Sequence, residues 1–426
     1  MWESQGLPSV TIVTVNHNGR EHLRGFLACA AGVDYPADRL DLIVVDNAST
    51  DGSRSFVRAH APGARLLENS ANLGFAQPNN QAAAAARSDY LLLLNNDTRF
   101  SPSLVRELVA ASGTSPRAVC VGARILSWDG ERIDFAGARL SFAGLGFQEG
   151  HGDGAEAVRH ERELRRIPFA CGCAMLVRRQ VFLDCGGFDE DYFAYYEDVD
   201  LGWRLWVLGY EVLYCPTAVV YHRQGGTASA FGAAWKRSLM ERNAILTVIK
   251  NTEDGVLGAT LPAALLLAIR RAALDCQVGL QPLASVCRPA RGGWRCAWQY
   301  LTCRLSLLLA AVRTVGLRAG VRRIAARLRG PRRFSARQDG GADLGLAAFA
   351  GLDRVVELLP RAFAKRALIQ AARRRSDEEV WSLVGDPLHP ASHRPAYRVA
   401  QEAAAQSFDL ARLLSGAGGA GPDAAG

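Results

Sequence analysis

At 426 residues, with 49% hydrophobic and 22% charged side chains, the chain is long enough for two to three domains and a sizeable core. That balance excludes a disordered or collagenous protein. The net charge of +8 is unevenly spread, with nine arginines and no acid between Arg313 and Arg337, a pattern suited to an anionic surface.

Met1–Pro8 is short and polar and lacks a signal-peptide pattern, so a cytoplasmic location is expected. Ser9–Val15 (SVTIVTV) is a β-branched run that predicts a strand, followed by a helix over Glu21–Ala31. Leu42–Val45 predicts the next strand and Ser53–His60 its helix; Ala76–Ala86 is an Ala-rich helix and Tyr90–Leu94 a buried strand. Further strands are expected at Ala118–Leu126 and Phe169–Val177, separated by a Gly-rich, charged stretch, Asp129–Arg166, of loops or a small hairpin. Strands alternating with helices predict a mostly parallel α/β sheet, and continuous apolar runs suit strands covered on both faces.

Beyond about residue 235 the pattern turns helical. Gly255–Ile269, closed by Arg270 and Arg271, and the shorter Leu305–Val312 both fall below the ~20 residues of a bilayer span. They predict either interfacial helices with arginines at lipid headgroups or helices packed on the protein. Gly330–Leu344 reads as a linker, Ala347–Arg375 as an amphipathic helix and Ser415–Gly426 as a disordered end. The expected division is therefore a sheet domain over 1–235, a basic apolar helical region at a membrane surface over 236–330, a helical extension over 331–414 and a tail over 415–426. Few aromatics interleave with the arginines, so a nucleic-acid partner is not expected. The ten cysteines contain no CxxC pair, which argues against a zinc or disulfide framework.

Ligands of open α/β sheets bind beyond the carboxyl ends of the strands, so the residues just after each apolar run matter most. Val15 and Asn16 close the first run, Asp46 follows the second, and Asn95, Asn96 and Asp97 follow Tyr90–Leu94. Three strands thus deliver Asn- and Asp-rich ends to one rim. Asp46 can accept from a base N–H or a ribose hydroxyl, a role compatible with capping the next helix. The first strand lacks GxGxxG and the chain lacks GxxxxGK[ST], so phosphates need another counter-charge. Asp97 is a plausible oxygen ligand for Mg²⁺ or Mn²⁺. In the segment Asn72–Asn80, Gly74 allows close backbone approach to a ligand and Asn79 lies near a helix start.

In FAYYEDVDLGWR, Leu201, Leu205 and Leu208 recur at helical spacing, as do Val199, Trp203 and Trp206, so this helix is largely buried. Asp200 and Arg204 are four apart and can pair. Glu197 and Asp198 stand at the helix start, where the dipole favours the ionised form and a carboxylate can act as a general base.

The ordered series TIVTVNHNG, DLIVVDNASTDGS, NLGFAQPNN, LLLLNND, GCAMLVRR and GGFDEDYFAYYEDVDLGWR resembles glycosyltransferase family 2, more closely its bacterial rhamnosyltransferase-like, cell-envelope branch, over Ser9 to Gly226. The resemblance implies a GT-A fold: a Rossmann-like, mostly parallel nucleotide-sugar domain followed here by a helical C-terminal region. It implies an inverting transferase moving a sugar, rhamnose from dTDP-rhamnose, to a glycan or polyprenyl-linked acceptor. It also implies Mg²⁺ or Mn²⁺ as cofactor and a peripheral place on the inner membrane face. Position by position, Asp198 matches the general base, Asp97 the metal-ligating last acid of a DXD motif and His222 a histidine of the metal shell. Asn95 stands where that motif has its first acid, one carboxylate fewer. Val15, Asn16, Asp46, Asn72, Gly74, Asn79, Asn95 and Asn96 are the expected donor contacts, and Glu197, Asp200, Tyr196 and Arg204 the expected acceptor contacts. A UDP-hexose or UDP-galactofuranose donor, or a non-catalytic nucleotide-sugar-binding scaffold, are the alternatives.

Overall fold

The computed structural model describes residues 6–223, 232–276 and 341–415. The expectations for Leu305–Val312, the arginine run Arg313–Arg337, most of the Gly330–Leu344 linker and the tail beyond Ser415 lie outside the described residues. The sheet is built from β1 (Val10–Asn16), β2 (Leu40–Asn47), β3 (Arg65–Asn69), β4 (Tyr90–Leu94), β5 (Thr98–Phe100), β6 (Ala118–Ser127) and β7 (Ile133–Phe135). A separate two-stranded ribbon pairs β8 (Ala138–Leu140) with β9 (Gly146–Gln148), and β10 (Arg165–Arg166), β11 (Ala174–Arg178) and β12 (Glu211–His222) return to the main sheet. Helices α1 (Arg20–Ala31), α2 (Ser53–His60), α3 (Ala76–Ala85), α4 (Leu104–Ser112), α5 (Arg179–Asp184) and α6 (Glu197–Val207) fill the connections.

The main order is β10-β12-β6-β11-β4-β1-β2-β3, with β5 beside β12 and β7 beside β6. Pairs β1/β2, β1/β4, β2/β3 and β6/β12 are parallel, and β11 runs antiparallel between β4 and β6. The expected mostly parallel sheet is therefore present, with one reversed strand in its middle. Its strands are fully buried at β4, where YLLLL is covered on both faces. The strand expected at Phe169–Val177 begins only at Ala174. Phe169–Cys173 turns instead, and Gly172 is where the chain bends past the α6 carboxylates.

After the sheet come α7 (Ala233–Asn251), α8 (Asp254–Asp275), α9 (Gly341–Ala371), α10 (Asp377–Val384), α11 (Pro395–Ser407) and α12 (Leu410–Ser415). The boundary expected at 235/236 falls inside α7, whose inner face joins the same apolar core as the sheet. Helix α9 lies along α7 and also packs on α8. Helix α8 is 22 residues long, longer than its uncharged run, and by length and composition it could cross a membrane. In the fold, 56% of its most apolar window is buried, against α7, α9 and α11. Of the two expected readings, Arg271 follows the packed one: it turns inward, its guanidinium donating to both Glu241 oxygens at 2.7 and 3.1 Å.

The α8–α9 crossing depends on Gly345. A Cβ there would come within 2.3 Å of the Cys276 sulfur and 2.5 Å of the Ala272 carbonyl. Gly345→Ala is therefore expected to destabilise the protein by about 1–3 kcal/mol through overpacking. Denaturant unfolding followed by Trp fluorescence measures this, and an unchanged midpoint would show that the crossing adjusts freely.

Candidate active site

Parallel register brings the first rim together. Asn16 pairs with Asp46 and Asp46 with Glu68 across β1, β2 and β3. Asp46 is 1% exposed; its Oδ2 accepts from the Ser49 amide at 3.0 Å and from Arg54 Nε at 2.6 Å. Its Oδ1 is buried and has no protein partner. An orphaned buried acceptor is costly, so this oxygen suits a ligand N–H or hydroxyl.

Its neighbours are occupied by the fold. Asn16 is fully buried, accepting from Asn96 at 2.7 Å and donating to Ser49 at 3.1 Å. Asn79 donates to the Phe75 carbonyl at 2.8 Å and is 2% exposed. The expected donor contacts through the Asn16 and Asn79 side chains are thus corrected: both are internal struts. Asn72 accepts from Asn47 at 2.8 Å and from the Gly74 amide at 3.0 Å. Gly74 has φ +84°, and a Cβ on it would lie 2.3 Å from the Phe193 carbonyl. Glycine is required there for the approach of Phe193. Val15, half-buried, stands beside Val45 at the same rim, and Asn95, also half-buried, follows β4.

Antiparallel pairing of β5 with β12 sets His222 opposite Thr98 and so beside Asp97. His222 Nε2 lies 3.3 Å from Asp97 Oδ1, and its Nδ1 lies 2.7 Å from Asp134 Oδ2. Burial opposes the charge on His222, but Cys173 together with the Asp134 and Asp97 carboxylates drives its pKa well above the ordinary value. Burial likewise opposes ionisation of Asp97, and His222 outweighs it, holding the carboxyl below its usual range. A divalent cation beside Asp97 would take the place of a proton on His222 Nε2. Two ligands at ~2.1 Å from a cation and at right angles to it lie about 3.0 Å apart, so the observed separation fits. Among the described residues no three His, Cys, Asp or Glu side chains converge as an ion site, so a cation here would have at most two side-chain ligands of these types. Asp134 was missed from sequence; a lone acid on the short strand β7 carries no spacing signal.

The second half is the start of α6. Asp198 Oδ2 accepts from the Gly172 amide at 2.9 Å and Oδ1 from the Val199 amide at 2.8 Å. Burial raises the Asp198 pKa while those amides pull it down. Glu197 is raised well above the usual carboxylate range, by burial and then by the charge of Asp198. Its Oε2 is buried without a protein partner. Two adjacent acids with little water hold one proton more easily than none. The turn at Cys171–Cys173 joins the two halves: Gly172 touches Asp198, and Cys173 borders His222 and accepts from the Asn95 amide at 3.0 Å.

The loop before α6 is held in unusual backbone. Phe193, Tyr195 and Tyr196 have φ of 66°, 66° and 69°. Such non-glycine residues cost about 1–3 kcal/mol each unless their surroundings impose them. Three expected acceptor contacts are corrected here. The Tyr196 ring is buried beside Glu241 and Arg271, away from Glu197. Tyr195 is the tyrosine near Glu197: burial and that charge push its hydroxyl up to about 12, and the hydroxyl lacks a protein partner. Asp200 is fully buried, bonded to Arg204 at 2.8 Å, Lys250 at 2.9 Å and Asn251 at 2.9 Å, and Arg204 reaches the Cys185 carbonyl. Neither Asp200 nor Arg204 can meet an acceptor.

A strand rim with an orphaned acid, an Asp–His pair and a half-buried, amide-held carboxylate thus lie at one edge of the mostly parallel α/β sheet. A sequence model of Glycosyl transferase family 2 matches residues 9–186. The N-acetylglucosaminyl-diphospho-decaprenol L-rhamnosyltransferase of Mycobacterium tuberculosis is 32% identical over 234 residues, covering 50% of this chain and 75% of that protein. The chain belongs to glycosyltransferase family 2, in its rhamnosyltransferase-like branch. Among solved structures, GalNAc-T7 with UDP, GalNAc and Mn²⁺ is 17% identical with a TM-score of 0.49, covering 62% of this chain and 51% of that one. A mannosyltransferase from Pyrobaculum calidifontis in complex with GDP-Man and Mn²⁺ is 17% identical with a TM-score of 0.45, covering 83% of this chain and 88% of that one.

Removing Asp200's charge leaves Lys250 and Arg204 less than fully compensated in a dry site. Asp200→Asn is expected to cost about 3–5 kcal/mol of stability. Urea unfolding reads this directly; unchanged stability with weakened acceptor binding would restore the acceptor role.

Proposed function

We propose that this glycosyltransferase transfers a sugar, rhamnose from dTDP-rhamnose, to a hydroxyl of a cell-envelope glycan or polyprenyl-linked acceptor with inversion at C1. One observation carries the reading: the Cys171–Cys173 turn couples an amide-held carboxylate, Asp198, to the Asp97–His222 pair. The choice of rhamnose and of a polyprenyl carrier is supported by the mycobacterial relative's name.

Asp46 Oδ1 takes a hydrogen bond from the nucleotide base or ribose, which fixes the donor at the β2 end. Asp97 and His222 hold Mg²⁺ or Mn²⁺, whose chemistry is to neutralise charge on the departing diphosphate. Asp134 keeps the His222 ring turned with Nε2 towards Asp97, a partner that sets tautomer and basicity. Asp198 accepts the proton of the acceptor hydroxyl as its oxygen bonds to the sugar C1. The bond from C1 to the diphosphate breaks on the opposite side, its electrons leaving with the diphosphate. Glu197 and the Tyr195 hydroxyl, both lacking protein partners, receive the acceptor's neighbouring hydroxyls. The raised pKa of Asp198 makes it a stronger base than an exposed aspartate.

The enzyme works at the cytoplasmic face of the membrane in this reading, supported by the arginine run from Arg313 to Arg337.

Donor binding is the first test, with calorimetry of dTDP-rhamnose and common UDP- and GDP-sugars, with and without Mn²⁺ or Mg²⁺. One donor is expected to bind in a metal-dependent manner, and Asp97→Ala to abolish it. Asp198→Asn is expected to keep donor binding and lose transfer by about 10²–10⁴-fold. Undiminished transfer in Asp198→Asn overturns the mechanism, binding of a UDP-sugar alone reassigns the donor, and binding of none points to a scaffold without this donor site or to an acceptor that must bind first.

The pH profile gives an independent check. Asp198 must be ionised to act, and burial raises its pKa, so activity falls as pH drops through a limb above the usual carboxylate range. A limb at the ordinary aspartate value, near 3.9, contradicts the assignment.

A further inference from the structure

We propose that Asn243, on α7 and outside the family-matched segment, is a positioning residue that holds the loop carrying the base Asp198 in its reactive backbone conformation. This rests on the reading of Asp198 as the base. Asn243 is fully buried, and its Nδ2 lies 3.2, 3.1 and 2.7 Å from the carbonyls of Tyr192, Ala194 and Tyr195. Its Oδ1 accepts from Arg242 Nε at 2.9 Å, and Arg242 Nη2 donates to the Asp191 and Tyr192 carbonyls, each at 2.9 Å. Two adjacent side chains of α7 therefore occupy four carbonyls, those of Asp191, Tyr192, Ala194 and Tyr195.

Those carbonyls bracket the strained backbone. Phe193, at φ 66° and ψ −61°, is the centre of a γ-turn closed by the Ala194 amide on the Tyr192 carbonyl at 2.8 Å. A γ-turn of that hand is rare and unfavourable in isolation. Tyr196, at φ 69° and ψ 1°, is the residue from which α6 starts, and Glu197 and Asp198 follow at once. The strain lies within the clamped stretch and at Tyr196 just after it, ahead of Asp198, so the clamp sets where Asp198 stands relative to Gly172. The Phe193 carbonyl also accepts from the Phe75 and Ala76 amides at 2.6 and 3.2 Å, tying the same turn to the start of α3. A loop released by Asn243 therefore moves the base against the donor rim.

Hydrogen–deuterium exchange of the full chain reads the clamp without any substrate. In Asn243→Ala, amides of residues 189–200 are expected to exchange about tenfold faster or more, while the β1–β4 amides keep their rates. Gly345→Ala, which loosens the same helical layer elsewhere, is expected to leave residues 189–200 unchanged. With whichever donor the parent enzyme turns over, Asn243→Ala is expected to lower kcat about a hundredfold, the scale of an ångström-level misplacement, with the donor KM within about twofold. If Asn243→Ala does not fold, Asn243→Ser retains one donor and is expected to give intermediate exchange and kcat. Parent-like exchange over residues 189–200, or parent-like kcat, in either folded variant overturns the proposal. Asp198→Asn run alongside separates the two readings: full activity there removes the base assignment, whereas an inactive Asp198→Asn beside a parent-like Asn243→Ala removes only the clamp.

Discussion

Two adjacent carboxylates, Glu197 and Asp198, start a helix in a place with little water, and much of the molecule answers to that fact. Burial disfavours the charge on each, and Asp198 further disfavours the charge on Glu197. The structure offsets this with backbone amides from Gly172 and Val199 and with the positive end of the α6 dipole. Amides can be aimed so closely only if the chain on both sides is fixed. Hence the glycine in the turn before β11, the positive-φ residues before α6, and the second layer of helices around them.

That second layer is more than an appendage. Asp189 and Asp191, at the head of the strained loop, bind Lys250 from α7 and Lys365 and Arg361 from α9. Asp189 is held well below the usual carboxylate range: burial opposes ionisation, and the two lysines outweigh it. A buried ion pair adds little stability over a well-packed apolar contact, but it specifies one arrangement. Here the arrangement specified is that of the loop that leads into Glu197 and Asp198. The same logic explains Asp200, whose carboxylate joins α6 to α7 through Lys250 and Asn251.

The sheet was legible because its strands announce themselves. Buried parallel strands appear as unbroken apolar runs, and Ser53–His60 and Tyr90–Leu94 match the observed elements end to end. The rim was legible because Asn and Asp after an apolar run mark strand ends, and register then aligned them. What failed was direction. Successive helical residues turn by about 100°, so Asp198 and Asp200 point to nearly opposite sides and only one faces the site. Adjacent tyrosines were likewise confused: Tyr195 looks towards Glu197 and Tyr196 into the α7–α8 layer. Asp134, Gly172 and Asn243 were missed for a different reason. Their partners lie 88, 26 and about 50 positions away, and no local period records such pairings. Helix α8 was open to two readings because a packed helix and a bilayer span share length and composition.

The distance along the chain between Asp189 and Lys365, 176 residues, has a consequence for how the enzyme is born. The donor rim is complete once β4 has formed, and the last strand of the sheet ends at His222. At a translation rate of about 5–20 residues per second, a nascent chain that has already made Asp189 waits roughly 10 to 35 s for Lys365. During that interval the nucleotide side of the site can assemble while the loop bearing Asp198 still lacks its α9 contacts. The strand rim thus has its whole sequence in hand well before the loop at Asp189 gains its α9 partner.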